Sequence, residues 1–309
     1  MTEDRFAFGL RFRSELELPE LAPFDADGEP DVTIRLGAVP AALPGSTPVG
    51  RLAHALPGDF LVDVPKVARF RVLAGREIIA DIAPGATPAE VRAYLLGTVA
   101  AAAIYQRGML PLHANSVRCG DDGFAFAGPT GSGKSTLAAY FLDRGYPVLA
   151  DDVTVVSPCE AGPAAAWPGV RRIKLCADAF AAFGRDTAGL ERVPGVAREK
   201  FVLPNPRMES REPAAFTRLY VLGRAPQGEA GAFRRLNGRD ALAAFLGNIY
   251  RPNICAGMGL KGPAMVAAAQ ALRHAQVFLF RRRWGFDAFA EEAVRLEAHM
   301  RTDLAELGE

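Results

Sequence analysis

The segment GPTGSGKST, residues 128–136, constrains the fold of this chain more than any other part of the sequence. It fits the pattern G-x-x-x-x-G-K-[ST], with an apolar stretch before it and a helix-forming stretch after it. Its glycines allow backbone conformations that other residues avoid, so that successive N–H groups can converge on phosphate oxygens at a helix N-terminus. Lys134 adds a positive charge, and the Ser135 hydroxyl is a ligand for Mg²⁺. The predicted nucleotide-binding residues are Gly128, Pro129, Thr130, Gly131, Ser132, Gly133, Lys134, Ser135 and Thr136.

Two adjacent acidic residues, Asp151 and Asp152, end the next predicted strand, "PVLADD". We expect this strand to lie beside the strand that enters the loop, at the edge where open α/β sheets bind ligands. Consecutive strand residues point to opposite faces, so a regular backbone would not direct both carboxylates at one ion. One carboxylate is therefore expected to hold Mg²⁺ while the other accepts the proton of an attacking hydroxyl. A solvated strand end or a helix-capping pair is the alternative.

His113 lies in "LPLHANSV", in the predicted strand just before the loop strand. From there it can bond to one of the two aspartates. A single histidine in an apolar strand is also commonly a core residue with satisfied hydrogen bonds, and the sequence does not choose between these interpretations.

The chain divides into two predicted parts. Residues 1–105 alternate short β-like segments with turns and then form a linking helix, which predicts a small β-rich N-terminal domain. Residues 106–309 alternate strands and helices around the glycine-rich loop, which predicts an α/β P-loop catalytic domain. An amphipathic helix is predicted over residues 286–307.

Composition narrows the classes of partner and compartment. The net charge of +1 lacks the basic excess typical of proteins that bind nucleic acid or an anionic membrane. The N-terminal residues do not resemble a signal peptide, and the longest apolar run, residues 93–105, is too short to span a bilayer. The cysteines lack zinc-site spacing, which favours reduced thiols. We therefore expect a cytoplasmic protein without nucleic-acid or membrane partners; homo-oligomerisation stays open.

The order and spacing of "LHANSV", "GPTGSGKST" and "RGYPVLADD" resemble the catalytic domain of HPr kinase/phosphorylase, a bacterial P-loop serine kinase. The short distance between the loop and the aspartates is the specific part of this resemblance. It implies ATP, Mg²⁺ and a seryl acceptor on a peptide or protein. It also implies that Asp151 is the general base, that His113 polarises it, and that Asp152 and Ser135 hold Mg²⁺.

A second resemblance concerns the acceptor. "FGLRFRSELELPEL", "WPGVRRIKLCADAF" and "FRRRWGFDAF" are similar to HPr-kinase-related proteins of lasso-peptide pathways, which implies a precursor peptide as substrate. The chain lacks a clear counterpart of the acidic E-I-R-G segment of HPr kinase, and the nearest stretch, "WPGVRRIKL", is basic. This removes the argument for HPr itself as acceptor and leaves a reverse phosphorylase reaction open.

Two other functional classes fit the same motifs. Some small-molecule kinases also place an aspartate on the strand after the loop helix, and a nucleotide-binding regulatory module would keep the loop without transferring a phosphoryl group. Any kinase must neutralise the charge of the transferred group. The candidate basic residues are Arg171, Arg172, Lys174, Lys200 and Arg251, with the cluster at residues 281–283 as a surface edge or a docking patch for an acidic peptide.

Overall fold

The computed structural model describes residues 3–25, 27–193, 198–205, 211–226, 229 and 231–302. The predicted mixed α/β architecture is confirmed: two large sheets are joined by a helical segment. Within these residues, no helix combines the length and the apolar character that crossing a membrane requires.

The N-terminal sheet has the strand order β3-β1-β2-β4-β9-β8-β7-β6-β5. Pairing is parallel between β2 and β4 and between β4 and β9, and antiparallel elsewhere. One face is buried because apolar residues alternate, as at Ala68, Phe70 and Val72. The strands are β1 Glu3–Ala7, β2 Leu10–Ser14, β3 Ala22–Pro23, β4 Val32–Leu36, β5 Thr47–Val49, β6 Ala53–Leu56, β7 Asp59–Val64, β8 Ala68–Leu73 and β9 Glu77–Ile82.

A nearly continuous helical segment follows the sheet. It consists of α1 (Pro88–Tyr94), a π-helical turn (Leu95–Val99) and α2 (Ala100–Gln106). A capping box between Thr87 and Glu90 fixes its start, with a proline in the first turn. The domain boundary predicted at residue 105 falls at the end of α2 and stays a prediction.

The second sheet has the main strand order β10-β14-β15-β18-β12-β11-β13, and β18 also pairs with β20, which pairs with β19. Strands β12, β18 and β20 run parallel, whereas β11 lies antiparallel to both β12 and β13. The strands are β10 Leu110–Leu112, β11 Ala114–Cys119, β12 Asp122–Ala127, β13 Val148–Ala150, β14 Thr154–Ser157, β15 Ala165–Trp167, β18 Ala214–Arg224, β19 Ala232–Leu236 and β20 Gln276–Arg282.

The remaining elements pack around this sheet. A two-stranded ribbon is formed by β16 (Arg172–Cys176) and β17 (Lys200–Pro204). The helices are α3 Lys134–Asp143, α4 Ala177–Ala182, α5 Gly238–Leu246, α6 Pro252–Gly257, α7 Lys261–Ala271 and α8 Phe286–Arg301.

The sequence "FAFA" in β12 explains how the sheet is buried on both faces. Phe124 and Phe126 belong to a core shared with residues of α3 and α8, whereas Ala125 and Ala127 belong to a core that extends to the N-terminal sheet. Successive side chains of a strand point to opposite faces, so four consecutive residues contribute to two cores. Burying each phenylalanine contributes about 2–3 kcal/mol, which fixes the position of the strand that leads into the loop.

Three sequence expectations need correction. Residues 110–119 form two strands instead of one, with His113 between them. Strand β13 does not neighbour β12, because β11 lies between the two. The last helix ends at Arg301, and residues 303–307 of its predicted range lie outside the described residues.

Candidate active site

The glycine-rich segment adopts the predicted order of strand, loop and helix. Strand β12 ends at Ala127, and α3 begins at Lys134. Gly133, immediately before the helix, has φ 85°, a left-handed conformation that favours glycine. A side chain there would also collide with the guanidinium of Arg282. The helix N-terminus therefore faces the loop with backbone N–H groups directed at whatever the loop holds.

The loop itself contains polar groups suited to an anion. Lys134 is buried, and its ammonium donates to the carbonyl oxygens of Gly128 at 2.7 Å and Pro129 at 3.3 Å. Burial lowers the pKa of Lys134, although Asp152 and Asp151 act in the opposite direction. A nearby phosphate would stabilise a buried ammonium whose hydrogen-bond acceptors are neutral carbonyls. Its negative charge replaces the stabilisation that water would otherwise provide.

Asp151 lies against the start of α3. Its carboxylate accepts hydrogen bonds from Ser135 Oγ at 2.9 Å, Asn115 Nδ2 at 2.5 Å and the backbone N–H of Lys174 at 2.7 Å. Burial, followed by the charge of Asp152, raises the pKa of Asp151. The hydrogen bond to Ser135 brings together a hydroxyl and a carboxylate, both of which are oxygen donors of the kind that Mg²⁺ prefers.

Asp152 faces a different set of partners. Its carboxylate lies 3.3 Å from His113 Nδ1 and 3.3 Å from Lys174 Nζ. Burial acts to raise its pKa, but the hydrogen bond from His113 and the charge of Lys174 outweigh it and hold the pKa of Asp152 below its ordinary value. Asp152 is therefore ionised at neutral pH. His113 contacts Asp152 and not Asp151, the partner that the resemblance implied.

The backbone explains why both carboxylates reach the same edge. Strand β13 ends at Ala150, and Asp152 has φ 73°, an unusual left-handed conformation for a residue other than glycine. The alternation expected of a regular strand therefore does not apply to the pair. Strained residues of this kind concentrate at functional sites.

Topology brings His113 and Asn115 to the same place. Ala114 pairs with Ala127 because β11 is antiparallel to β12, so the start of β11 lies beside the end of β12. The backbone N–H of His113 donates to the Asn248 carbonyl at 2.7 Å. Asn115 is fully buried and was not singled out from the sequence, although it lies two residues after His113, at the spacing that places both on one face of a strand.

A cavity of about 420 Å³ opens beside the loop. Its walls include Asp152 and basic side chains from three different segments. The β16–β17 ribbon contributes Lys174 and Lys200, and the end of β20 contributes Arg282. Arg198 lies two residues before β17. Its volume is in the range of pockets that bind small molecules and cofactors.

A second, smaller cavity of about 40 Å³ lies next to both aspartates. Phe8 of the N-terminal sheet, Gly97 of the π-helical turn and Tyr250 line it. Asp152 and Lys174 line both cavities, whereas Asp151 lines the smaller one alone. The site therefore combines residues from both parts of the chain.

The other predicted basic residues have different surroundings. Arg172 pairs with Glu20 at 3.0 Å, and it lines the smaller cavity. Arg251 lies over the ring of Tyr250. Arg283 is paired with Glu292 at 2.9 Å, which places it in an ion pair with α8. Among the described residues, no cluster of three or more His, Cys, Asp or Glu side chains could hold a metal.

Comparison with solved structures gives matches that include a bacterial kinase/phosphatase. The structure of the Hpr(Ser) kinase/phosphatase from Coxiella burnetii matches with a TM-score of 0.32 and 10% identity, covering 62% of this chain and 97% of its own. No family model matches the sequence. No curated protein matches it either.

Proposed function

We propose that this chain is an ATP-dependent kinase that transfers the γ-phosphoryl group to a serine hydroxyl of a peptide or protein. The observation that carries the proposal is the position of Asp152, which lines both the cavity of the glycine-rich loop and the small cavity beside it. A residue in that position can contact an acceptor hydroxyl on one side while the triphosphate occupies the other.

The residues present fit ATP and Mg²⁺. Among the residues that the structure describes, Ser132 Oγ is buried within the loop without a hydrogen-bond partner, and the Lys134 ammonium donates to carbonyl oxygens. Residues 128–136 would hold the phosphates, and Ser135 and Asp151 would hold Mg²⁺, whose remaining ligands are commonly phosphate oxygens and water. When bound, Mg²⁺ neutralises charge on the phosphates.

The two carboxylates then have separate roles, the reverse of those that the resemblance implied. Asp151 accepts a hydrogen bond from Ser135, which lines the large cavity, so the two would hold the cation together. Asp152, ionised and held by His113 and Lys174, accepts the hydrogen bond and then the proton of the attacking hydroxyl. Lys174 and Lys200 in the cavity wall supply positive charge near the transferred group.

The acceptor class that we propose is a serine of a ribosomally made precursor peptide of the lasso type. Only the sequence resemblance supports this part of the proposal. The small cavity, of about 40 Å³, is of a size that suits a side chain as small as that of serine.

The test is phosphoryl transfer from γ-labelled ATP, with Mg²⁺, to candidate precursor peptides and to the same peptides with each serine replaced by alanine. We expect one serine to become labelled, and we expect Asp152→Asn to reduce the rate about 10²–10⁴-fold, the usual contribution of a positioned base. Asp240→Asn, an exposed change on α5, is the matched control. Binding of ATP with no acceptor-dependent ADP release would show a regulatory module instead.

A further inference from the structure

The chain segment after β20 lies beside the glycine-rich loop. Because β20, β18 and β12 are parallel, the end of β20 emerges at the same edge of the sheet as the loop. Arg282 connects the end of β20 to the loop. Its side chain is 5% exposed, and its Nη2 donates to the Ser132 carbonyl oxygen at 2.6 Å. The residues that follow therefore have a fixed position relative to any bound phosphates.

Two aromatic side chains on this segment are exposed. Trp284 is 37% exposed and Phe286 is 46% exposed, and both line the large cavity together with the loop. The guanidinium of Arg224 lies over the Trp284 ring, 5.8 Å from its centroid. Most large apolar side chains of this size are buried, so two exposed rings at the mouth of one cavity indicate a flat, apolar ligand surface.

The backbone between the two rings has a conformation that requires glycine. Gly285 has φ 118° and ψ 157°, a region that is essentially restricted to glycine, and it precedes the first turn of α8. A side chain at this position would collide with the carboxylate of Asp287. This conformation lets Trp284 and Phe286 line one cavity from either side of a sharp turn.

We propose that Trp284 and Phe286 form a stacking platform for the base of the nucleotide. The inference rests on the proposed function and adds the part of the site that holds the nucleoside. The phosphates occupy residues 128–136, and the base extends along the same cavity towards the end of β20. Every nucleobase has a flat π-face, and stacking on an aromatic side chain is a common source of affinity.

The experiment compares ATP with tripolyphosphate, which has the phosphates and no base. Calorimetry with Mg²⁺ measures both affinities for the unmodified protein, Trp284→Ala and Phe286→Ala. Val294→Ala, an exposed apolar residue of α8 that does not line the cavity, is the matched control. We expect the two cavity variants to bind ATP about tenfold more weakly or worse, with unchanged tripolyphosphate affinity.

A second measurement uses the protein's own fluorescence. The chain has two tryptophans, so Trp167→Phe leaves Trp284 as the sole emitter. ATP is expected to quench this emission, and tripolyphosphate is expected to leave it unchanged.

Unchanged ATP affinity in both cavity variants, or an equal loss for ATP and tripolyphosphate, would overturn the inference and leave the proposed function intact. So would a higher KM for the acceptor with normal ATP affinity, because the platform would then bind the acceptor. If the unmodified protein binds neither ATP nor tripolyphosphate, the proposed function fails and the inference fails with it.

Discussion

The two ends of helix α3 carry charged clusters of opposite character. At its N-terminal end, Lys134 and Asp152 line a large cavity, where the Lys134 ammonium donates to a neutral carbonyl oxygen and Asp152 pairs with Lys174. At its C-terminal end, the helix docks on Glu297 of α8, a carboxylate with a side chain only 6% exposed. Among the described residues, its hydrogen-bond partners there are Tyr140, Arg144, Tyr146 and Arg301.

The two clusters differ in how completely their charged groups are hydrogen-bonded and paired with opposite charge. Glu297 receives hydrogen bonds on both oxygens, at distances of 2.9–3.2 Å, and its pKa is lowered because the hydrogen bonds from Arg144 and Tyr146 outweigh the effect of burial. A saturated cluster has no capacity for a ligand and contributes to stability. The cluster at the loop has a buried ammonium bonded to neutral carbonyl oxygens, so we expect it to contribute to the binding and catalysis that we propose.

The largest effect is expected at the N-terminal end. Lys134→Ala removes the charge that would contact the β and γ phosphates, and we expect the transfer rate to fall about 10²–10³-fold. The midpoint of thermal unfolding is expected to stay level or rise, because the ammonium is buried and its pKa is lowered by that burial. Lys261→Ala, at an exposed position on α7, is the control. A large fall in the unfolding midpoint of Lys134→Ala would contradict the distinction between the two ends.

The opposite pattern is expected at the C-terminal end. Glu297→Gln removes the charge that four donors share, and we expect the free energy of unfolding to fall by about 2 kcal/mol, the scale of hydrogen bonds to a charged group. Chemical denaturation measures it, with the exposed Glu291→Gln on the same helix as control. The transfer rate per folded molecule should not change. A variant that is stable and inactive would show that this end of α3 takes part in function.

An effect that depends on pH is expected from a histidine two residues further along α8. His299 stacks on Phe233 with ring centroids 3.9 Å apart, and burial lowers its pKa to about 4 from 6.5. Between these values the unfolded chain binds the proton more readily than the folded one, so the free energy of unfolding should decline as the pH falls from 6.5 to 4. His299→Gln should flatten this decline, whereas His274→Gln, at an exposed position, should not. Identical pH profiles for all three proteins would exclude a neutral, buried His299.

The local structure around the loop could be predicted from the sequence because short-range rules govern it. The glycine spacing places the start of α3 at Lys134, and the alternating "FAFA" places β12 in the middle of a sheet buried on both faces. The mixed α/β class follows from the alternation of strands and helices after residue 106.

Long-range pairing could not be predicted in the same way. Nothing local in β11 shows that it inserts between β12 and β13, yet this insertion is what brings His113 and Asn115 beside the aspartates. The division between Asp151 and Asp152 depends on the left-handed turn at Asp152, which overrides the alternation of a regular strand. The contribution of Phe8 to the small cavity depends on how the N-terminal sheet docks, which no sequence motif specifies.

The different roles proposed for Asp151 and Asp152 are tested most directly by the Mg²⁺ dependence of ATP affinity. Calorimetry with and without the cation measures it in Asp151→Asn and Asp152→Asn. Asp151 is bonded to Ser135, so its variant is predicted to lose most of the gain in affinity that Mg²⁺ provides. Asp152→Asn is predicted to keep that gain and to lose phosphoryl transfer instead. The reverse result, with Mg²⁺ dependence lost in Asp152→Asn and kept in Asp151→Asn, would contradict the assignment.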